Sequence, residues 1–163
     1  MVHKIYRAIR TPITFQDSGG SYVLTLQNLG TSSGRLSIQV DRGVNSQPTR
    51  YKWKGVIQWA NNPVLADYVE ILLGESDGVL APDTNKGTAD VAITANDTGN
   101  LDRVGIVRAQ AATGSVNNIA SGVCVIMDRY FQVGALNRST TIGLRNTANT
   151  SLIIFTPMPD EIQ

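Results

Sequence analysis

Histidine and cysteine are nearly missing from this chain, which has one of each, His3 and Cys124. A histidine three residues from the start leaves a serine or cysteine nucleophile without its usual base, since that base would have to come from a chain end. Zinc sites need clustered Cys and His and are excluded by the same shortage. No disulfide can form within the chain. Cys124 stands in the apolar run GVCVIMD and is expected to be a small buried hydrophobe. Long apolar runs are missing too. No stretch approaches the ~20 residues of a membrane span, and MVHKIYRAIRTP at the start lacks the apolar centre of a signal peptide. The expectation is a soluble protein made in a reducing compartment. The N-x-S/T triplets at Asn96, Asn137 and Asn149 are then ordinary loop chemistry.

Charge is also scarce. Charged residues make up 17% of the 163, against roughly 25% in an average domain, and the formal net charge is +1. A protein so nearly neutral has no strong overall field to draw in a polyanion. The carboxylates are scattered over loops, and no pair is marked out for glycosidase-type acid and base work. Asp83-x-Asn85-x-Gly87 has the beginning of a calcium loop, but Thr94 falls where the closing bidentate carboxylate belongs. There is no phosphate-cradling G-x-x-x-x-G-K-[ST] segment, and Ser18-Gly19-Gly20 is a turn. We therefore expect no catalytic residues, no cofactor and no metal.

Small polar residues and a period of two take the place of what is missing. In SYVLTLQNLG, Tyr22, Leu24 and Leu26 share a face; in GRLSIQVDRG, Leu36, Ile38 and Val40 alternate with Arg35, Ser37, Gln39 and Asp41. Gly30 to Gly34 between them has the length of a hairpin loop, with glycines free to take positive φ. Val69, Ile71 and Leu73 form one face of the next strand, before a loop from Gly74 to Lys86. Further short strands are expected at 90–94, 101–108, 122–127, 129–135, 140–144 and 151–156. Helix is expected only weakly, at Pro63–Tyr68 and Lys4–Ile9. About ten short strands between Gly-, Asn- and Ser-rich turns imply an all-β, single-domain β-sandwich, jelly-roll-like, over residues 13–156.

RYKWKGVIQW, residues 50–59, interleaves basic and aromatic residues. Such a mixture raises the possibility of nucleic-acid binding, which its period removes. Tyr51, Trp53, Ile57 and Trp59 fall on one face, and Lys52 and Lys54 on the other, so rings and cations cannot build one stacking platform. The tryptophans are expected in the core or an interface, and the lysines outward. No nucleic-acid or membrane partner is expected.

The two ends differ from the sandwich. Residues 1–12 mix Lys4, Arg7 and Arg10 with Ile5, Tyr6 and Ile9, as an arm that packs on a neighbour would. A plain first strand would look the same. Residues 157–163 leave the last strand through prolines and end in Pro159, Asp160, Glu161 and Ile162.

Four strings in order, RYKWKGVIQW, EILLGESDG, NLDRVGIV and TPMPDEIQ, resemble a group of small virion proteins of tailed bacteriophages. The resemblance covers most of the chain after about residue 10. It implies a head decoration (cement) protein, or another minor structural component, made in the host cytoplasm and carried on the capsid surface. Its implied partners are the major capsid protein and itself, as a homotrimer. The contacts then expected are Lys4, Ile5, Tyr6, Arg7, Ile9 and Arg10 on the arm, Lys52 and Lys54 on the strand, and Pro159, Asp160, Glu161 and Ile162 on the tail. Two alternatives stand beside it. One is the single jelly-roll capsid protein of a small icosahedral virus. The other is a carbohydrate-binding β-sandwich of a fibre or adhesion protein, using an exposed Trp53 or Trp59.

Overall fold

The structure is a computed structural model, and it describes residues 11–43, 49–76, 89–93, 99–110 and 112–158. The described strands are β1 (Ile13–Gln16), β2 (Tyr22–Val23), β3 (Gly34–Leu36), β4 (Val40–Asp41), β5 (Thr49–Ile57) and β6 (Tyr68–Ser76). After them come β7 (Val91–Ala92), β8 (Asp102–Arg108), β9 (Asn118–Ile126), β10 (Tyr130–Asn137) and β11 (Leu152–Pro157). They form two facing sheets, a β-sandwich as expected. One sheet runs β2-β1-β11-β5-β9 and the other β7-β3-β10-β6-β8, with β4 also paired to β10. Four antiparallel pairings are nested in the sequence: β1 with β11, β3 with β10, β5 with β9 and β6 with β8. The chain is in effect one long hairpin doubled back between β6 and β8. Its ribbon is wrapped so that β11 also joins β5, and β10 also joins β6.

The period-two strands put their apolar faces between the sheets. Phe15, Tyr51, Phe131 and Phe155 make a knot of rings, with neighbouring centroids 5.9 to 6.4 Å apart. Tilted and edge-on ring pairs at such separations add to the burial energy. Further along β5, Trp53 lies flat against two backbones. A Cβ on Gly105 would come 2.0 Å from its ring, and one on Gly122 would come 2.6 Å from its Nε1. These glycines, on β8 and β9, open the slot the indole fills. Trp59 is wholly buried and bridges to Leu144. Both tryptophans are therefore core residues.

A second, smaller core lies on the far side of the β6–β10 sheet, where Leu36, Leu72, Leu101 and Leu136 pack with Ile93. It explains why β6 is buried along both faces. Glu70 is on that side too, gripped by Arg138 at 2.7 Å and Arg103 at 3.3 Å.

Several expectations fail for identifiable reasons. Gly30 to Gly34 is no hairpin loop, because β2 and β3 lie in different sheets. The positive φ within it belongs to Ser32, not to a glycine. The alternation from Leu36 to Val40 breaks at Ser37, which is buried. Leu36 faces Gly134 and Val40 faces Phe131, so β3–β4 carries one more residue than β10 across the same span. In this bulge the Ser37 hydroxyl accepts the Val133 N–H at 3.0 Å, and the side-chain face flips. That sends Leu36 to the small core and Val40 to the main one. Gly74 lies inside β6, opposite Gln132, and not at the start of a loop. Residues 63–68 form a turn, fixed by Asp67, whose side chain accepts the Val64 N–H at 2.9 Å and whose N–H donates to the Val64 carbonyl. Residues 140–144 form no strand. Ser139 Oγ accepts the N–H groups of Thr141 and Ile142 and turns the chain instead. The helix proposed at Lys4–Ile9 and the calcium-like loop at Asp83–Gly87 lie outside the described residues. Among the described residues, no helix is long and apolar enough to cross a membrane.

Candidate functional site

A two-sheet sandwich has four edges, each a row of N–H and C=O groups open to another chain. Two of them, β2 and β7, are two residues long. The third, β8, is broken by a register shift between its pairs with Ile71 and Leu72, and it carries exposed Asp102, Arg103 and Arg108. Short length, bulges and charge all discourage pairing. The fourth, β9, has none of these protections. Its nine residues pair without interruption to β5, and NIASGVCVI contains no charge. No described strand pairs with its other side, where the Gln110 side-chain amide donates to the Ile119 carbonyl at 2.9 Å.

The ends of β9 are firmly held. At one end the buried Arg42 donates to the carbonyls of Ile126 at 3.0 Å and Asp128 at 2.6 Å. Beside it, Glu75 accepts the N–H groups of Met127 and Asp128. At the other end Asn118 donates to the carbonyls of Ile57 and Val116 and accepts the Gln110 N–H. The edge is a fixed template.

The register assigns each side chain a face. Trp53 stands opposite Gly122 on the core side, so Ile119, Ser121, Val123 and Val125 point outward. Val123 is 50% exposed and the neighbouring Met127 59%. In the next column, on β5, Val56, Lys54, Lys52 and Arg50 lie opposite Ile119, Ser121, Val123 and Val125. Beyond them β11 presents Leu152, Ile154 and Thr156, and β1 presents Thr14. No carboxylate stands among these outward positions. Arg50, Lys52 and Lys54 are exposed, and none forms an ion pair with a described residue. The opposite sheet covers its far side with a second core, but no described residue packs a core on the far side of this one.

Lys52 and Lys54 thus point outward, as expected. Lys4, Ile5, Tyr6, Arg7, Ile9, Arg10, Pro159, Asp160, Glu161 and Ile162 lie outside the described residues. The β9 row was not anticipated. GVCVIMD is apolar at both parities, which signals a strand buried on both sides. Arg50 is the other member of the face that sequence reasoning passed over; its place in the alternation with Lys52 and Lys54 was the available signal.

Cys124 is half-buried on the core side of β9, where burial, and then the nearby Glu75 carboxylate, push its thiol up to about 11. It is protonated and unreactive near neutrality. Two of the N-x-S/T asparagines are structural. Asn137 is buried, donating to the carbonyls of Gly30 and Ile142. Asn149, at φ +60°, accepts the Ser18 N–H and donates to the Ser18 hydroxyl. Among the described residues, no three His, Cys, Asp or Glu side chains are grouped to hold a metal ion. No protein-family model matches the chain, and no curated protein matches its sequence.

Proposed function

We propose that this chain is a structural virion protein, a decoration or cement protein that binds the outer surface of a tailed-phage head and ties neighbouring capsid subunits together. The observation that carries it is the outer sheet face, which among the described residues is cationic and apolar without a carboxylate, bordered by the β9 edge. A protein whose work is done by such surfaces gains from a repeated binding site, because symmetry lets weak contacts add. The four string resemblances point the same way. A homotrimer is the assembly we expect, with the arm at 1–12 and the tail beyond β11 adding contacts; Pro157, expected in that tail, instead pairs with Tyr51 as the last residue of β11.

The nested pairing supports a jelly-roll topology: eight main strands pair first with last, second with seventh, third with sixth and fourth with fifth. Viral shells and lectins both use this fold, so it favours the virion reading by analogy only. It equally favours the second reading, a single jelly-roll shell protein. The carbohydrate reading loses its intended platform, since Trp53 and Trp59 are both buried.

The test is the location and copy number of the chain in a purified particle, read by electron microscopy, together with its mass in solution. We expect a trimer that occupies many outer-surface sites, and a variant without residues 1–10 that folds but no longer decorates. A chain that closes into shells by itself establishes the second reading. A monomer absent from particles, whose tryptophan fluorescence is quenched by sugars, overturns both.

A further inference from the structure

We propose that β9 is a docking edge for an extended acidic-apolar segment of a partner protein, which adds as a sixth strand to the β2-β1-β11-β5-β9 sheet. The inference goes beyond the capsid reading and does not depend on it, because it rests on the register of β9 alone.

Strand addition needs a straight, accessible edge whose neighbouring side chains can select a sequence. β9 supplies the edge, held at both ends by Arg42, Glu75 and Asn118; at Ile119 an added strand displaces only the Gln110 side-chain amide from the carbonyl. The side chains supply a code. On the outer face, an added strand meets Ile119, Val123 and Val125 as exposed apolar neighbours. Directly opposed apolar side chains on adjacent strands stabilise the pair, so apolar residues are selected there. Ser121 interrupts the row. It is small and sits directly opposite Lys54 on β5. Adjacent strands are about 4.8 Å apart, so an added strand lies two spacings from β5. The four-carbon stem of Lys54 leans part of the way across over Ser121, and a Glu opposite Ser121 reaches back to meet the ammonium. The selected pattern, on alternate residues, is apolar, acidic, apolar, apolar, read along the line from Ile119 to Val125.

Charge decides between this occupant and a second copy of the chain. Twofold pairing of β9 with itself would join two faces that each carry Arg50, Lys52 and Lys54 and no carboxylate, bringing like charges together without a counter-ion. An acidic segment supplies the missing sign. A nucleic-acid strand supplies it too, but it has nothing to set against Ile119, Val123 and Val125, and the aromatic rings of β5 are on the buried face.

The experiment uses the full chain, labelled with ¹⁵N, and the capped peptide Val-Thr-Val-Thr-Glu-Thr-Val, which runs antiparallel to β9 with its Glu opposite Ser121, with a Glu→Lys version as control. We expect amide shifts concentrated in β9, and about tenfold weaker binding of the control, because an attraction is replaced by a repulsion. Lys54→Glu should reverse the preference between the two peptides. Val123→Lys, an exposed change whose fold is checked by circular dichroism, should abolish binding of both. The idea is overturned if millimolar peptide leaves the β9 amides unmoved, or if the two peptides bind equally. It is also overturned if sedimentation shows a dimer that Val123→Lys dissolves, or if an oligonucleotide binds the lysine face and leaves β9 unperturbed. None of these outcomes bears on whether the chain is found in a virion.

Discussion

The slot between Gly105 and Gly122 that holds the Trp53 indole has no room for a side chain on either glycine, and it yields a quantitative test. Gly105→Ala places a methyl where the nearest ring carbon is 2.0 Å away. The ring cannot swing aside easily, because Gly122 limits it on the other strand. Overpacking of this kind costs about 3 kcal/mol, the upper part of the usual range. Trp53→Phe removes part of the indole and leaves a small void, at about 1–2 kcal/mol, well short of the roughly 3–5 kcal/mol of a full Trp53→Ala truncation. If the methyl and the ring compete for one space, the two changes together should cost less than their sum, by at least about 1 kcal/mol. Urea unfolding measures all three variants, followed by far-ultraviolet circular dichroism and by the fluorescence of Trp59, which every variant keeps. Additive costs within error would refute the account, since they would mean that Gly105 is required for some reason other than the ring. A Gly105→Ala protein as stable as the parent would refute it more directly.

Three further expectations follow from side-chain bonds. Ser37→Ala deprives the Val133 N–H of its acceptor within the bulge and should cost about 1–3 kcal/mol by chemical denaturation; a neutral result would mean that the bulge survives without the hydroxyl. For Asp90, burial favours the neutral acid, but hydrogen bonds from Arg35 and Thr25 outweigh it and set the carboxyl below its ordinary 3.8. Its contribution should be complete above that value and fade as pH falls through the lower folded one, so the stability gap to Asp90→Asn should shrink as pH is lowered past 3.8; a gap independent of pH would count against it. Cys124 is displaced the other way, from 9.0 to about 11, chiefly by burial. The folded chain therefore holds that proton more tightly than the unfolded one, and stability should decline as pH rises from about 9 to about 11, an effect absent from Cys124→Ala.

Reading the sequence forward succeeds where one residue type serves one face. β5 is the clearest case, since Tyr51, Trp53 and Ile57 are large and apolar while Lys52 and Lys54 are not, and no neighbour can reverse that assignment. The reading fails where a side chain takes over a backbone role. Ser37 looks like a polar outward position, and its hydroxyl closing the ladder at Val133 becomes visible only with β10 alongside. Ser139 defeats the strand expected at 140–144 in the same way. The first half of β9, Asn118 to Gly122, is too small and mixed to announce itself, and β1, only four residues long, lies just beyond the 1–12 segment for which a plain first strand was the alternative. The candidate site was half legible. The outward lysines follow from local alternation, whereas the status of β9 as an edge depends on which strands lie beside it, a property of topology that no local pattern carries.

The nested pairing also governs when the fold can come into being. Ile13 pairs with Phe155, and β11 is the strand that joins β1 to β5 in the middle of its sheet. During synthesis the early strands must wait, partly unpaired, until β11 has left the ribosome. Contacts so far apart in sequence make folding slow, on the order of milliseconds to seconds or more. Through that interval β9 is an uncharged apolar strand beside a β5 that lacks its other neighbour. Such a strand recruits copies of itself when the chain is crowded. Yield on overexpression should accordingly be limited by aggregation of nascent chains, and should improve at low temperature and slow induction.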